Sequence, residues 1–388
     1  MKKTALKGNI ILPDKILYGG VVVFEGEKIS DVFPQGHKLS EEEMSFIDWG
    51  DNFISPGLIN LHVHGALGKD IMDCMIESLK QIAFHQARHG VTGFLGTTTT
   101  SSLNIIFKAV DTIRKGAQLP LPSELLGLYI EGPYLNYQRR GAQDPSHVRQ
   151  MSEEEIMLLI KSVSGLKTIL SMAPEVGNNM NFIKVLGESG IIISIGHSDA
   201  TYQQALESFK QGISHATHLF NAMSGYHHRE PGVVGAVLDS PDVTAEVIAD
   251  GIHLHPSAIR LAIARKGIEK ICLITDSIKA TGLDDGIHTM GNLEIVVKGN
   301  EVRLRESGVL AGSVLTLNRA VKNVIEWTGI EVSQAVNMAS LNPARVLDLD
   351  DSLGSIQKEK YANFAIFDKE FNVVETILHG QPVLRKKI

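Results

Sequence analysis

The run LINLHVHG, residues 58–65, ends a short apolar stretch on two histidines, His62 and His64. In a strand, side chains alternate faces, so positions two apart point the same way. Two imidazoles on one face begin a metal site, and the rest of the chain decides whether it is completed. Seven more apolar runs follow, at 91–97, 125–130, 167–173, 191–196, 214–219, 243–249 and 271–275. Amphipathic stretches of helical length separate them, among them 77–88, 103–115, 153–162, 181–188, 202–209 and 256–265. Continuous apolar runs suit parallel strands buried on both faces. Eight strand–helix units within residues 56–347 predict an α/β fold, a (β/α)8 TIM-like barrel. A doubly wound open sheet is the competing architecture. It is disfavoured because no Gly-x-Gly-x-x-Gly turn follows the first strand.

The flanks have another texture. GNIILP, KILYGGVVVFEGEKISDVFP and FIDWGDNFISPG near the start, and YANFAIFDKEFNVVETILHGQPVL near the end, read as short strands separated by turns. Each piece is small alone. Residues 1–55 and 348–388 are therefore expected to pair as one small β-sandwich domain built from both termini, beside a barrel of 56–347.

The composition narrows the classes of function. The chain has 388 residues, 43% of them hydrophobic, enough for a large core. A net charge of −7 provides no basic footprint, so no nucleic-acid partner is expected. Two cysteines, Cys74 and Cys272, make no disulfide framework and suit a reducing compartment. Met1-Lys2-Lys3 imitates the start of a signal peptide, but Asp14 and Lys15 interrupt the following apolar stretch. No window reaches the ~18 apolar residues of a membrane span. The expectation is a cytoplasmic protein with no membrane partner.

The chemistry collects at the strand ends. His62 and His64 follow strand 1, Glu131 strand 3 and His197 strand 5. Strand 6 carries His215 and ends at His218; Asp250 and His253 follow strand 7, and Asp276 follows strand 8. Barrel enzymes place their reactive groups at these C-terminal ends. Any one of these residues alone would be unremarkable, since single histidines and acids are mostly structural. Together they predict a metal site. His85, His89, His147, His227, His288 and His379 are read as structural or surface residues. Imidazole and carboxylate without thiolate suit Zn, Fe, Mn or Co. A divalent metal so held lowers the pKa of a water toward ~7 and polarises a carbonyl or phosphoryl oxygen. Asp276 is placed to move the proton in a hydrolysis, a role compatible with capping a helix.

These residues resemble the amidohydrolase superfamily. The finer motifs PGLINLHVHG, EGPYLN, GHSDA, THLFNAM, REPG, ADGIH, LITD and LAGS resemble, in order along the whole chain, the N-acetylglucosamine-6-phosphate deacetylases. The resemblance implies Glu131, His197 and His218 as metal ligands and Asp276 as general acid/base. It also implies contacts to a sugar phosphate from Ala142, Gln143, Asn221, Ala222, Arg229, His253, Leu310, Ala311 and Gly312. It implies a homodimer in which Arg229 crosses the interface. An arginine fork suits phosphate on physical grounds.

The chain departs from some members of that family, which have Gln-x-Asn at His62-x-His64 and a histidine at Gln143. A neutral glutamine cannot become cationic. His62 and His64 are instead expected to hold a second ion, with Glu131 bridging the two and Asp276 counted among the metal ligands: one or two divalent ions per subunit. The expected reaction releases acetate from N-acetyl-D-glucosamine 6-phosphate in amino-sugar catabolism or recycling. The rival readings are the galactosamine epimer, a hydrolase of N-acyl amino acids or cyclic amides, and a non-catalytic binding protein on the same fold.

Overall fold

A computed structural model describes residues 3–37 and 44–383. Met1 and Lys2, in the stretch read for a signal peptide, and residues 384–388 of the C-terminal segment lie outside the described residues. Eight parallel strands pair neighbour to neighbour in chain order: Leu58–Val63, Val91–Thr98, Glu124–Glu131, Lys167–Met172, Ile191–Ile195, Ile213–Ala216, Thr244–Ile248 and Ile271–Ile274. The first two are buried along their whole length, as continuous apolar runs require. The ring closes just past the strand ends. His62 O accepts from Asp276 N at 3.1 Å, and Ser277 O accepts from His64 N at 2.9 Å. Asn60 Nδ2 also donates to Thr275 Oγ1 at 2.8 Å. The predicted barrel is the observed one, and its closure ties the residues around His62 directly to Asp276.

The helices begin where the sequence supplies caps. Ser152 accepts from Glu155 N at the start of Glu153–Val163. Thr201 and Gln204 form a capping box at Tyr202–Gln211. Pro256 opens Pro256–Lys266. The segment expected as one helix over 181–188 is instead a 3-10 turn, Asn179–Phe182, followed by Ile183–Glu188. The sixth strand stops at Ala216 rather than continuing to 219, because His218 leaves the extended conformation with φ of +30°.

The terminal segments meet in a seven-stranded sheet. Its order is Gln381–Pro382, Val373–Leu378, Phe364–Phe367, Met44–Pro56, Lys3–Ile11, Ile16–Glu25 and Lys28–Phe33. The sheet curls, and Lys28 at one edge bridges to Tyr361, just before Phe364–Phe367. Leu6, Val22, Phe24, Ile29, Ile54 and Phe364 thereby share one core. Only Gly57 separates this sheet from the first barrel strand, and Gly57 N donates to Asn363 O at 2.9 Å.

The sequence reading had no counterpart for a three-stranded antiparallel sheet, Gly286–Met290, Leu293–Lys298 and Glu301–Leu304. It is inserted between the eighth strand and the helix Leu317–Thr328, over the barrel mouth, on a core including Ile278, Ile295, Val297 and Ala311. Both cysteines are free, and no helix among the described residues is long and apolar enough to cross a membrane.

Candidate active site

The six residues expected as ligands converge at the C-terminal end of the barrel. Glu131, His197 and His218 form one group, and His62, His64 and Asp276 another; within each, ligand atoms lie within 4.8 Å of one another. Glu131 Oε1 is 3.0 Å from both His197 Nε2 and His218 Nε2. Glu131 Oε2 is 3.2 Å from His64 Nε2, so this carboxylate faces both groups. Asp276 Oδ1 is 3.3 Å from His64 Nε2 and 3.6 Å from His62 Nε2. His197, His218 and Asp276 have φ of +48°, +30° and +51°. Such backbone is uncommon outside glycine and persists where the surroundings enforce it. Here it turns each side chain inward just as its strand ends.

The surrounding hydrogen bonds orient the rings. The Arg139 carbonyl lies 2.9 Å from His197 Nδ1. A carbonyl only accepts, so Nδ1 carries the proton and a neutral His197 presents its Nε2 lone pair to the site. His197 Nε2 and His218 Nε2 face each other at 3.2 Å. With Glu131 Oε1 3.0 Å from each, the two ring nitrogens and the carboxylate oxygen converge as the ligand atoms of one cation do. Burial alone would lower the His64 imidazole, but the Asp276 and Glu131 carboxylates override it and raise it to about 9. Burial would raise the Glu131 carboxyl; the imidazoles of His197, His218, His62 and His64 packed against it instead hold it well below the usual range. The donor set fits a divalent metal: oxygen and imidazole atoms, preoriented, buried and open on one side to a cavity.

That cavity measures about 420 Å³. Of the residues expected to touch substrate, Ala142, Gln143, Asn221, Ala222, His253, Leu310 and Gly312 line it. Two others do not. Ala311 is fully buried against the core of the inserted sheet. Arg229 is exposed on an outer turn, its Nη1 2.9 Å from His228 Nε2, away from its own chain's cavity. Gln143 does more than line the wall. Its Nε2 donates to Glu131 Oε2, and its Oε1 accepts from Thr100 N at 2.8 Å. His253 Nδ1 is held by Asp250 Oδ2 at 2.6 Å.

The sequence reading passed over several contributors. Arg139 and Arg140 form part of the rim, and Met290 and Val309 cover the mouth from the inserted sheet and the loop after it. Glu246, also passed over, lies beneath the candidate ligands beside His215, which the sequence reading had placed on strand six; Glu246 Oε2 is 3.1 Å from His62 Nδ1 and Glu246 Oε1 3.2 Å from His215 Nε2. Glu246 had a signal: it is a lone carboxylate in VTAEVIA, two positions before Ile248, hence on the inward face.

A barrel carrying adjoining imidazole–carboxylate triads at its C-terminal mouth belongs to the class of metal-dependent hydrolases. The model described as the Amidohydrolase family matches residues 53–383, and the chain belongs to that family. It is 36% identical over 377 residues to an N-acetylglucosamine-6-phosphate deacetylase of Bacillus subtilis (strain 168), spanning 96% of this chain and 94% of the relative. It is 39% identical over 329 residues to an N-acetylgalactosamine-6-phosphate deacetylase of Escherichia coli O157:H7, spanning 84% of this chain and 87% of the relative. The crystal structure of the N-acetylglucosamine-6-phosphate deacetylase of Pasteurella multocida superposes with a TM-score of 0.92 at 32% identity, covering 98% of this chain and 99% of that one.

Proposed function

We propose that this chain hydrolyses the acetamide of N-acetyl-D-glucosamine 6-phosphate to D-glucosamine 6-phosphate and acetate. The observation that carries the reading is one arrangement: Asp276 at the cavity floor, 3.3 Å from His64 and next to the Glu131–His197–His218 group, within the chain's full-length likeness to such deacetylases. We place Glu131, His197 and His218 around one divalent ion and His62, His64 and Asp276 around a second, with Glu131 facing both. Zn, Fe, Mn and Co all suit these donors. A divalent metal, when bound, supplies Lewis acidity toward the water and the amide carbonyl.

The chain's own groups do the rest. Water adds to the acetyl carbon and the C–N bond breaks. Asp276 takes a proton from the water and returns it to the departing nitrogen, which leaves as the free amine. His253, held at Nδ1 by Asp250, leaves its Nε2 free for the sugar. Asn221 and the Ala142 and Leu310 segments wall the ring, and Ile248 and Met290 exclude bulk water. Gripping the sugar away from the reacting bond orients the acetyl group for attack.

Arg229 does not line its own cavity, so we assign it to the phosphate in the partner's site of a homodimer. The enzyme would work in the cytoplasm, in amino-sugar catabolism or recycling. The galactosamine epimer is the second reading, favoured by the 39% identity to a deacetylase of that substrate. Metal-dependent acetate release from the two epimeric sugar phosphates, measured side by side, tests both. Faster release from the glucosamine compound supports the main reading, faster release from its epimer the second. Release from neither overturns both.

A further inference from the structure

Glu246 sits at the middle of the seventh barrel strand, Thr244–Ile248, and is fully buried. Barrel interiors are filled mainly by bulky aliphatic side chains. A carboxylate there loses several kcal/mol of hydration unless its oxygens are met. Both are met. Oε2 accepts from His62 Nδ1 at 3.1 Å and from the His218 backbone N at 3.1 Å. Oε1 lies 3.2 Å from His215 Nε2, and His215 Nδ1 lies 2.5 Å from Thr244 Oγ1. Thr244 Oγ1 donates to Ser214 O at 3.2 Å. A continuous chain of side chains thus runs across the barrel, from strand six through strand seven to His62 on strand one.

We propose that Glu246, braced by His215, is the positioning residue that makes His62 a metal ligand. The argument is geometric. An ionised carboxylate only accepts, so His62 must carry its proton on Nδ1 when neutral. Its Nε2 lone pair then points at the site, where it lies 3.3 Å from His64 Nε2 and 3.6 Å from Glu131 Oε1. Without that acceptor a neutral imidazole is free to take the other tautomer, which has an N–H where the ion needs a lone pair. His215 keeps Glu246 from rotating away. Glu246 also grips the backbone N of His218, whose φ of +30° needs holding. The contact that sets a ligand's tautomer is the one to His62 Nδ1.

This inference rests on the two-ion reading above, and metal content separates the two. Protein is purified without chelator, equilibrated with excess Zn²⁺, desalted and assayed for metal per chain. Parent protein near two ions supports the two-ion reading; a ratio near one overturns it before any variant is compared. Glu246→Leu should then hold about one ion fewer than the parent, whereas Glu246→Gln, which keeps an acceptor for His62, should stay near the parent ratio. A Glu246→Leu protein with the parent's ratio overturns the role of Glu246. A second pair guards against a misfolded variant: in a His62→Asn background, Glu246→Leu and Glu246 should show equal metal content, and so should His215→Asn and His215. A further loss of an ion in either comparison shows action other than through His62 and overturns the assignment.

Discussion

His197 Nε2 and His218 Nε2 stand 3.2 Å apart, and each is 3.0 Å from Glu131 Oε1. Only the folded chain gathers these ligand atoms, so bound metal should stabilise the fold. At a hundredfold excess over its dissociation constant, an ion that binds only the folded chain adds about 2.7 kcal/mol. Chelation should lower the thermal midpoint by several degrees, and re-addition of Zn²⁺ or Mn²⁺ should restore it. A His197→Asn/His218→Asn protein should lose most of that response. A midpoint indifferent to chelator in the parent would refute the site.

We assign Asp276 the proton transfer as well as a place in the His62–His64 group. Asp276→Asn keeps the shape but removes the base. General acid–base groups contribute about 10²–10⁴-fold. Turnover should fall by about that factor, while the ion at Glu131, His197 and His218 is retained by metal analysis. Unchanged turnover would remove Asp276 from the mechanism.

Much of this architecture was legible because its determinants are local. The eight apolar runs read as strands are the eight barrel strands, the first with the same limits, 58–63. The candidate ligand residues were visible because they sit at strand ends, where the barrel's topology gathers them. What was missed depends on contacts remote in sequence. Gly232–Asp239 is almost wholly apolar and gives no amphipathic stripe, so its helix left no periodic signal. The inserted sheet consists of strands of four to six residues between turns, and the sequence reading assigned nothing to that stretch. Glu246 has its partner, His62, on the first strand, 184 residues away. The burial of Ala311 in the core of the inserted sheet, away from the cavity, could not be read without that sheet.

His85 and His89 supply a pH dependence away from the active site. Burial, then each one's neighbouring positive charges, pushes His85 down to about 3 and His89 to about 4. Both histidines titrate near 6.5 in the unfolded chain. Between pH 6.5 and those lower values the unfolded state binds more protons than the folded one. Their contribution is thus fully present above pH 6.5 and is lost as pH falls toward 4 and 3. Each costs up to about 1.4 kcal/mol per pH unit in that window. Urea midpoints of the parent and His85→Gln, compared at pH 7 and pH 5, should converge on acidification. Subtracting the two proteins cancels the groups they share. Parallel loss in both would show that His85 is not responsible.

Gly312 is the backbone support of Asp276. Its φ is +55°, and a Cβ there would lie 2.4 Å from Ile278 Cγ2 and 3.0 Å from Asp276 O. The next residue, Ser313, donates its backbone N to that same Asp276 oxygen at 2.8 Å. Gly308, four positions earlier, has φ of +70° but open space where a Cβ would go. Gly308→Ala should therefore cost only the left-handed backbone, about 1 kcal/mol, and leave turnover near the parent value. Gly312→Ala adds a steric clash to that cost, for a total loss of about 2–3 kcal/mol. It should also lower turnover, by displacing Asp276 from the cavity floor. Thermal unfolding and acetate release on the two variants decide the point. Equal effects at both positions would mean that the close approach to Asp276 has no functional weight.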